Sequence, residues 1–417
     1  MDIYSVGEKI RRIRIFKNIT LKKLCGTKIS IAKMSCIEND KVKADKDILK
    51  YISQKLEIDY DYLIQDSYDQ IKSNIEEYKK NFKFNLNLES ELKDNYDYAI
   101  KYKYYDLAFE LMHMLFKYYI ENNMIKNVQV IISGYYNLYQ KNNSNESTFI
   151  YYNDMGEFLI ETEEYKDAII YYEKIDELCE KNSYKLDFVS EIDISYKKAV
   201  CYQNLSKYET AFSILKPIIN DVEKLENTIL KTRIYQKYSE LCILLNSDES
   251  LKFKEKSYSY IKNDKISIIY SKLNYAKYYF ISYLNDQAVI EINEARDILK
   301  DLKSEETIPF NFDFIKLCLK YKEYNMAYDI IETTIDDIII TQNRELIENI
   351  YYLKSRALEN LKKYEKAEKY MNLSLDILMK FGNREQRKKR YLDLGELYYK
   401  MGNVKDSLKY FNLTFTI

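Results

Sequence analysis

One spacing constrains this chain more than any other property. In its last thirty residues Tyr391, Leu394, Gly395 and Tyr398 are followed by Ser407 and Phe411. Eleven residues separate Gly395 from Ser407. Two antiparallel helices need a small residue on each where they cross, with large side chains on either side to fill the gap. The same interval recurs at Ser355 and Ala367, Ala276 and Ala288, Ala199 and Ala211, and Gly156 and Ala168. Ile315 with Ala327 and Ser239 with Leu251 keep the register with one large residue each. The first positions lie 43, 40, 37, 39, 40 and 40 residues apart. One match would carry little weight, since Ala is common. Seven in register predict a tandem array of helix pairs, each longer than a minimal repeat of about 34 residues.

Composition agrees. A chain of 417 residues suits a small domain plus an array. Only 7 Gly and 2 Pro argue against a turn-rich, sheet-rich protein. No apolar run approaches the roughly 18 residues needed to span a bilayer, and Met1-Asp2-Ile3 begins no signal peptide. A cytoplasmic protein without membrane contact is expected. The six cysteines form no CxxC pair, which fits small apolar residues in a reducing compartment. The sole histidine, His113, lies in the apolar stretch from Leu107 to Tyr119 and reads as a packed or partly exposed helix residue. With no phosphate loop, metal cluster or nucleophile constellation, no enzyme, catalytic residue, metal or cofactor is expected.

The first fifty residues differ from the rest. They carry thirteen Lys or Arg against six Asp or Glu, a local +7 in a chain whose net charge is -1. Such a basic surface suits a phosphate-backbone binder. Val6 to Ile13 reads as a first helix, and Thr20 can cap a short second one containing Leu21 and Leu24. Ser30 can cap a third carrying Met34 and Ile37 inward. Asp47 to Leu56 gives a fourth, and Tyr60 to Ile64 closes the bundle.

A short helix, a turn and a second short helix between two longer ones is the helix-turn-helix plan, whose third helix enters the major groove. Residues 3 to 65 resemble the lambda-repressor-like helix-turn-helix domain of small bacterial and phage regulators. That resemblance implies that Ser30 opens the reading helix and that Ile31, Ala32, Lys33 and Cys36 occupy reading positions. Thr20 starts the second helix, and Arg11, Arg12, Lys17, Lys22, Lys23 and Lys41 are phosphate-contact candidates. The family usually has Gln after the Thr, where this chain has Leu21. The apolar reading surface implies contacts to thymine methyl groups, or specificity supplied by dimer spacing and DNA shape.

The domains expected are a DNA-binding head over residues 1–66, a linker helix over 67–80 and a repeat domain over 81–417. Lys141 to Ser147 (KNNSNES) reads as the most loop-like segment. The paired spacing resembles the tetratricopeptide repeat, so the whole is expected to be all-α: a helix-turn-helix bundle followed by a right-handed superhelical solenoid. Its concave side is lined by the first helix of each pair. Counting from the small residue nominates Asn153, Glu157, Tyr196, Gln203, Arg233, Gln236, Glu240, Lys277 and Arg356 for that surface. Amide side chains suit the backbone of an extended peptide, and Arg or Lys its carboxylate.

A helix-turn-helix joined to about eight helical repeats resembles the peptide-pheromone-responsive regulators of Gram-positive bacteria and their phages. The resemblance implies a homodimer on a double-stranded DNA operator, controlled by a short signalling peptide in the concave groove. Asn153, Gln203 and Gln236 become backbone clamps by that likeness. Phe411, Leu413 and Phe415 make an apolar edge suited to the twofold contact. The alternative from a different class is a non-catalytic scaffold or anti-regulator whose repeats hold a protein partner.

Overall fold

The computed structural model describes residues 3–82, 87–142 and 144–416. All regular structure among them is helical, and none of their helices is long and apolar enough to cross a membrane. The chain forms two compact units, Met1–Leu205 and Ser206–Ile417.

The first unit opens with α1 (Val6–Phe16), α2 (Leu21–Cys25), α3 (Ile31–Glu38), α4 (Lys46–Leu56) and α5 (Tyr60–Ile64). Side-chain caps set where these helices begin. Ser5 and Glu8 form a reciprocal capping box on α1. Thr20 Oγ1 accepts from the Lys23 N–H and Ser30 Oγ from the Lys33 N–H, both at 3.2 Å. Asp45 does the same for α4. The inward residues of these helices, among them Ile10, Leu24, Met34, Ile37, Ile52 and Leu56, close a core of their own. Leu21 packs partly buried against it, so an apolar contact stands where the family carries Gln. Across this bundle Arg14 makes a bidentate pair with Glu38, Nε to Oε1 at 2.6 Å and Nη2 to Oε2 at 2.9 Å.

The bundle is fastened to α6 (Ser67–Asn81). Ile3 joins the hydrophobic core that runs through the following helices. The buried Gln70 amide accepts from the Tyr4 N–H at 3.1 Å and donates to the Tyr4 carbonyl at 2.7 Å. Lys9 is 1% exposed and donates to the Tyr62 and Gln65 carbonyls, each at 2.7 Å. Burial pushes its ammonium down to about 8, against the opposing pull of Asp66 and Asp69.

Helices α7 (Leu88–Lys101), α8 (Tyr105–Glu121), α9 (Ile125–Asn142), α10 (Asn145–Glu161), α11 (Tyr165–Asn182) and α12 (Phe188–Asn204) complete the first unit. The second begins with α13 (Tyr208–Leu215) and a short 3-10 turn, then α14 (Thr228–Leu244), α15 (Ser250–Tyr260), α16 (Lys265–Ile281) and α17 (Asn285–Leu299). It ends with α18 (Ser304–Lys320), α19 (Tyr324–Ile340), α20 (Arg344–Asn360), α21 (Tyr364–Phe381), α22 (Arg384–Lys400) and α23 (Val404–Thr416).

The small positions act as expected. A Cβ on Gly395 would lie 2.6 Å from the Phe411 ring, and one on Gly156 2.6 Å from that of Tyr172. The helices approach so closely that Ser407 Oγ donates across to the Gly395 carbonyl at 2.8 Å, as Ser355 Oγ does to Ala367 at 2.7 Å. Leu251 differs: it sits in the first turn of α15 and is 56% exposed, while Ser239 Oγ donates to the Ser250 carbonyl at 2.7 Å.

Seven residues beyond each first position the backbone turns left-handed, at Glu163, Ser206, Asn246, Tyr283, Lys322, Lys362 and Gly402. Glu164 N–H to Leu159 O at 2.7 Å and Asn403 N–H to Tyr398 O at 2.9 Å close the wide loop of a Schellman turn. Six of these residues are not glycine, so each tolerates roughly 1–2 kcal/mol of strain because the helix crossing fixes the turn.

The same turn at Asn123 brings α8 and α9 into register through Phe116 and Val128, both fully buried. Large residues in both small positions hide this pair from the spacing rule. The segment Lys141 to Ser147, read as the most loop-like, is instead mostly helix among its described residues. α9 runs to Asn142, Ser144 caps α10 in a reciprocal box with Ser147, and Asn143 lies outside the described residues. Its polar residues cap a helix rather than span a gap.

Candidate functional site

Three surfaces concentrate chemistry. The first is on the N-terminal bundle. Arg11, Arg12, Lys17, Thr20, Lys22, Lys23, Ser30, Ile31, Ala32, Lys33 and Lys41 are all exposed, and Cys36 is half-buried. They lie on α1 to α3 and the turns that follow them, since the apolar residues between them are drawn into the core. Not all are equally available. Arg12 stacks over the Tyr4 ring at 3.9 Å and donates to its hydroxyl at 2.6 Å. Lys17 lies 3.4 Å from Glu57 and Lys33 3.7 Å from Asp45, exposed pairs of little strength. Lys22 and Lys23 follow the Thr20 cap, where the open N–H groups of a helix start favour an anion.

A second cluster lies on α8, α10 and α12 of the first unit. Asp154 is fully buried. It receives the Tyr135 hydroxyl at 2.7 Å and faces His113 Nδ1 at 2.6 Å, with Lys117 3.4 Å away. Burial pushes its carboxyl up, but His113 and Lys117, by charge and hydrogen bonding, hold it below the ordinary aspartate value. Lys117 also pairs with Glu157. Lys197 donates to Asn153 Oδ1 at 3.0 Å and pairs with Asp193 at 2.7 Å. The nominated Asn153 and Glu157 therefore belong to one network. The partners sit about one repeat apart in sequence, so side chains at equivalent positions on successive first helices meet. That offset is the signal that single-residue reading of His113 missed. Tyr196 is half-buried on α12, and Gln203 is buried at 3% exposure.

The third is a cavity of about 760 Å³ in the second unit, between the N-terminal halves of α14 and α16 and the turn after α15. Two nominated residues, Arg233 and Gln236, line it. Its floor carries hydroxyls, Thr232 and Ser271, while Ile229 and Tyr270 stand at the rim, 59% and 51% exposed. The Gln236 amide is held at both ends, donating to Glu240 Oε1 at 3.0 Å and accepting from Ser271 Oγ at 3.3 Å. Glu240 is 2% exposed and pairs with Lys237 at 2.7 Å. It thus fixes the cavity wall from within the array. Lys277 lies over the Tyr278 ring, and Arg356 pairs with Glu359 at 2.8 Å. Neither lines this cavity.

Comparison with known proteins agrees with the array. The tetratricopeptide repeat family matches residues 150–182 and 348–377, which fall on α10 with α11 and on α20 with α21. No curated protein matches the sequence. Among solved structures, the apo form of the quorum sensor NprR from B. thuringiensis is 14% identical, with a TM-score of 0.49 over 84% of this chain and 99% of that one. A Rap protein complexed with Competence and Sporulation Factor is 11% identical, with a TM-score of 0.48 over 84% and 97%. Bacillus thuringiensis PlcR, in complex with the peptide PapR7 and DNA, is 17% identical, with a TM-score of 0.37 over 62% and 94%.

Proposed function

We propose that this chain is a non-catalytic, cytoplasmic transcriptional regulator. Its N-terminal bundle binds double-stranded DNA, and a short signalling peptide held by its helical repeats controls that binding. The observation that carries the reading is the exposed basic set on α1 to α3 of a bundle with a closed core and capped second and third helices. Lys22, Lys23 and Lys41 contact phosphates, and α3 presents Ile31, Ala32 and Lys33 to base edges. The cavity between α14 and α16 takes the peptide. Of the expected edge, Phe411 packs at the Gly395 crossing and Leu413 is partly buried on the core, so a homodimer forms instead through the exposed apolar face of α23, where Val404, Leu408 and Phe415 are 56%, 57% and 84% exposed.

Selection of bound duplexes from a random DNA pool by the full chain, with and without a random peptide pool, tests the reading. An enriched motif that is lost with Lys22→Ala/Lys23→Ala/Lys33→Ala supports it. No enrichment at physiological salt in either condition refutes DNA control. Leu408→Glu is expected to convert dimers to monomers in sedimentation.

The second reading is a scaffold or anti-regulator that holds a protein partner. It is favoured by the apolar character of α3, where Ile31 is 50% exposed, and by the stacking that ties Arg12 to Tyr4. Under that reading the triple lysine variant keeps full regulatory activity.

A further inference from the structure

The cavity between α14 and α16 differs in charge balance from two other cavities of the chain. Arg233 and Lys262 line it, both are exposed, and neither makes a hydrogen bond or ion pair with another described residue. The one carboxylate in the lining, Asp264, is already committed. It caps α16, taking the Ser267 N–H at 3.1 Å and the Ser267 hydroxyl at 2.6 Å. A cavity of about 550 Å³ bordered by α17 to α19 balances Arg296 and Lys300 with Asp297 and Asp337. One of about 290 Å³ in the first unit sets Asp106, Glu110 and Glu146 against Lys79 and His113.

Three buried or half-buried cations on first helices are neutralised: Lys117 by Asp154 and Glu157, Lys272 by Glu291 and Glu294, Arg390 by Glu348 and Asp393. Arg233, by contrast, is exposed without such a partner and lines the largest of these three cavities. Its surroundings add direction. On one side are the hydroxyls of Thr232 and Ser271, on the other the exposed apolar surfaces of Ile229 and Tyr270.

We infer that this cavity is a carboxylate subsite: Arg233 grips a carboxylate of the bound peptide, and an aliphatic or aromatic side chain beside it packs on Ile229 and Tyr270. The inference rests on the peptide reading above and adds the chemistry of one end of the ligand. A guanidinium holds a carboxylate by two parallel N–H···O bonds, and the pairing is strong where water is partly excluded. Lys262 contributes charge without fixing geometry. The carboxylate comes either from the peptide C-terminus or from an Asp or Glu side chain.

Affinity selection on the full chain separates these sources. The probes are random heptapeptide pools: one with free C-termini and no Asp or Glu, one with amidated C-termini and no Asp or Glu, and one amidated but containing both acids. Retention of the first pool supports a terminal carboxylate, and retention of the third supports a side-chain carboxylate. In either case Arg233→Gln is expected to weaken the selected peptides about tenfold or more, and Tyr270→Ala to erase the preference for an apolar neighbour. Equal retention of the acid-free amidated pool, with no effect of Arg233→Gln, overturns the carboxylate subsite while leaving peptide binding intact. Failure of every pool to bind overturns the peptide reading and the subsite with it. Arg233 is exposed, so its variant tests binding rather than folding, and an unchanged unfolding profile confirms that.

Discussion

Removing Arg14 is expected to unfasten the N-terminal bundle. Its guanidinium bridges α1 to α3 through two short bonds to Glu38 and donates a third, at 3.1 Å, to the Ile19 carbonyl in the turn before α2. Glu38 is 4% exposed and Arg14 14%, so solvent screens the pair little. Arg14→Ala leaves a buried carboxylate without its cation, a loss of about 3–5 kcal/mol. A bundle of this size is expected to hold only about 3–9 kcal/mol in total, so the variant loses a third or more of its stability. Hydrogen exchange on the full chain reads this directly. Amides of α1 and α3 should exchange about two to three and a half decades faster through the opened bundle, while those of the second unit stay unchanged. The double variant Arg14→Met/Glu38→Leu should recover most of the protection, because a packed apolar pair replaces a buried ion pair at little net cost. If Arg14→Ala left α1 and α3 exchange within about twofold of the parent, Glu38 would not depend on that cation and the reasoning would fail.

Two further outcomes follow from the array. Gly156→Val is expected to destabilise the α10–α11 crossing by about 1–3 kcal/mol, because the first added carbon already meets the buried Tyr172 ring at 2.6 Å. Local hydrogen exchange should show it, and an unaltered α10 would contradict the close approach. Asp154, whose pKa is held below its ordinary value, contributes stability that is present above the unfolded value of about 3.9 and is lost as pH falls through the folded one. Asp154→Asn removes that contribution, so the variant should be less stable at neutral pH, and its acid unfolding, monitored by tyrosine fluorescence, should begin at higher pH with a shallower pH dependence. An unshifted acid limb would show that His113 and Lys117 do not favour its ionised form.

Much of this protein was legible in the chain. The eleven-residue interval identified seven helix pairs, because a crossing tolerates only small side chains and that demand is written residue by residue. Thr20 and Ser30 marked the starts of α2 and α3 for a similarly local reason: an N-cap satisfies N–H groups two or three residues away. What failed were inferences about residues whose partners lie elsewhere. Phe116 and Val128 break the small-residue rule, yet the left-handed turn at Asn123 shows them paired, since a crossing can open to admit large side chains when its neighbours allow it. Arg14 reads as one more basic residue of the bundle until Glu38 is found beside it. The nominated array residues scattered in the same way. Gln203 and Glu240 are buried, Asn153 and Glu157 join a charge network, and Arg233 and Gln236 share a cavity. The helices, their pairing and the basic N-terminus follow from spacing along the chain and could be read there. Which charges are neutralised and which, like Arg233, are left facing a cavity depends on what neighbouring repeats bring within about 4 Å, and that emerges only when the chain is folded.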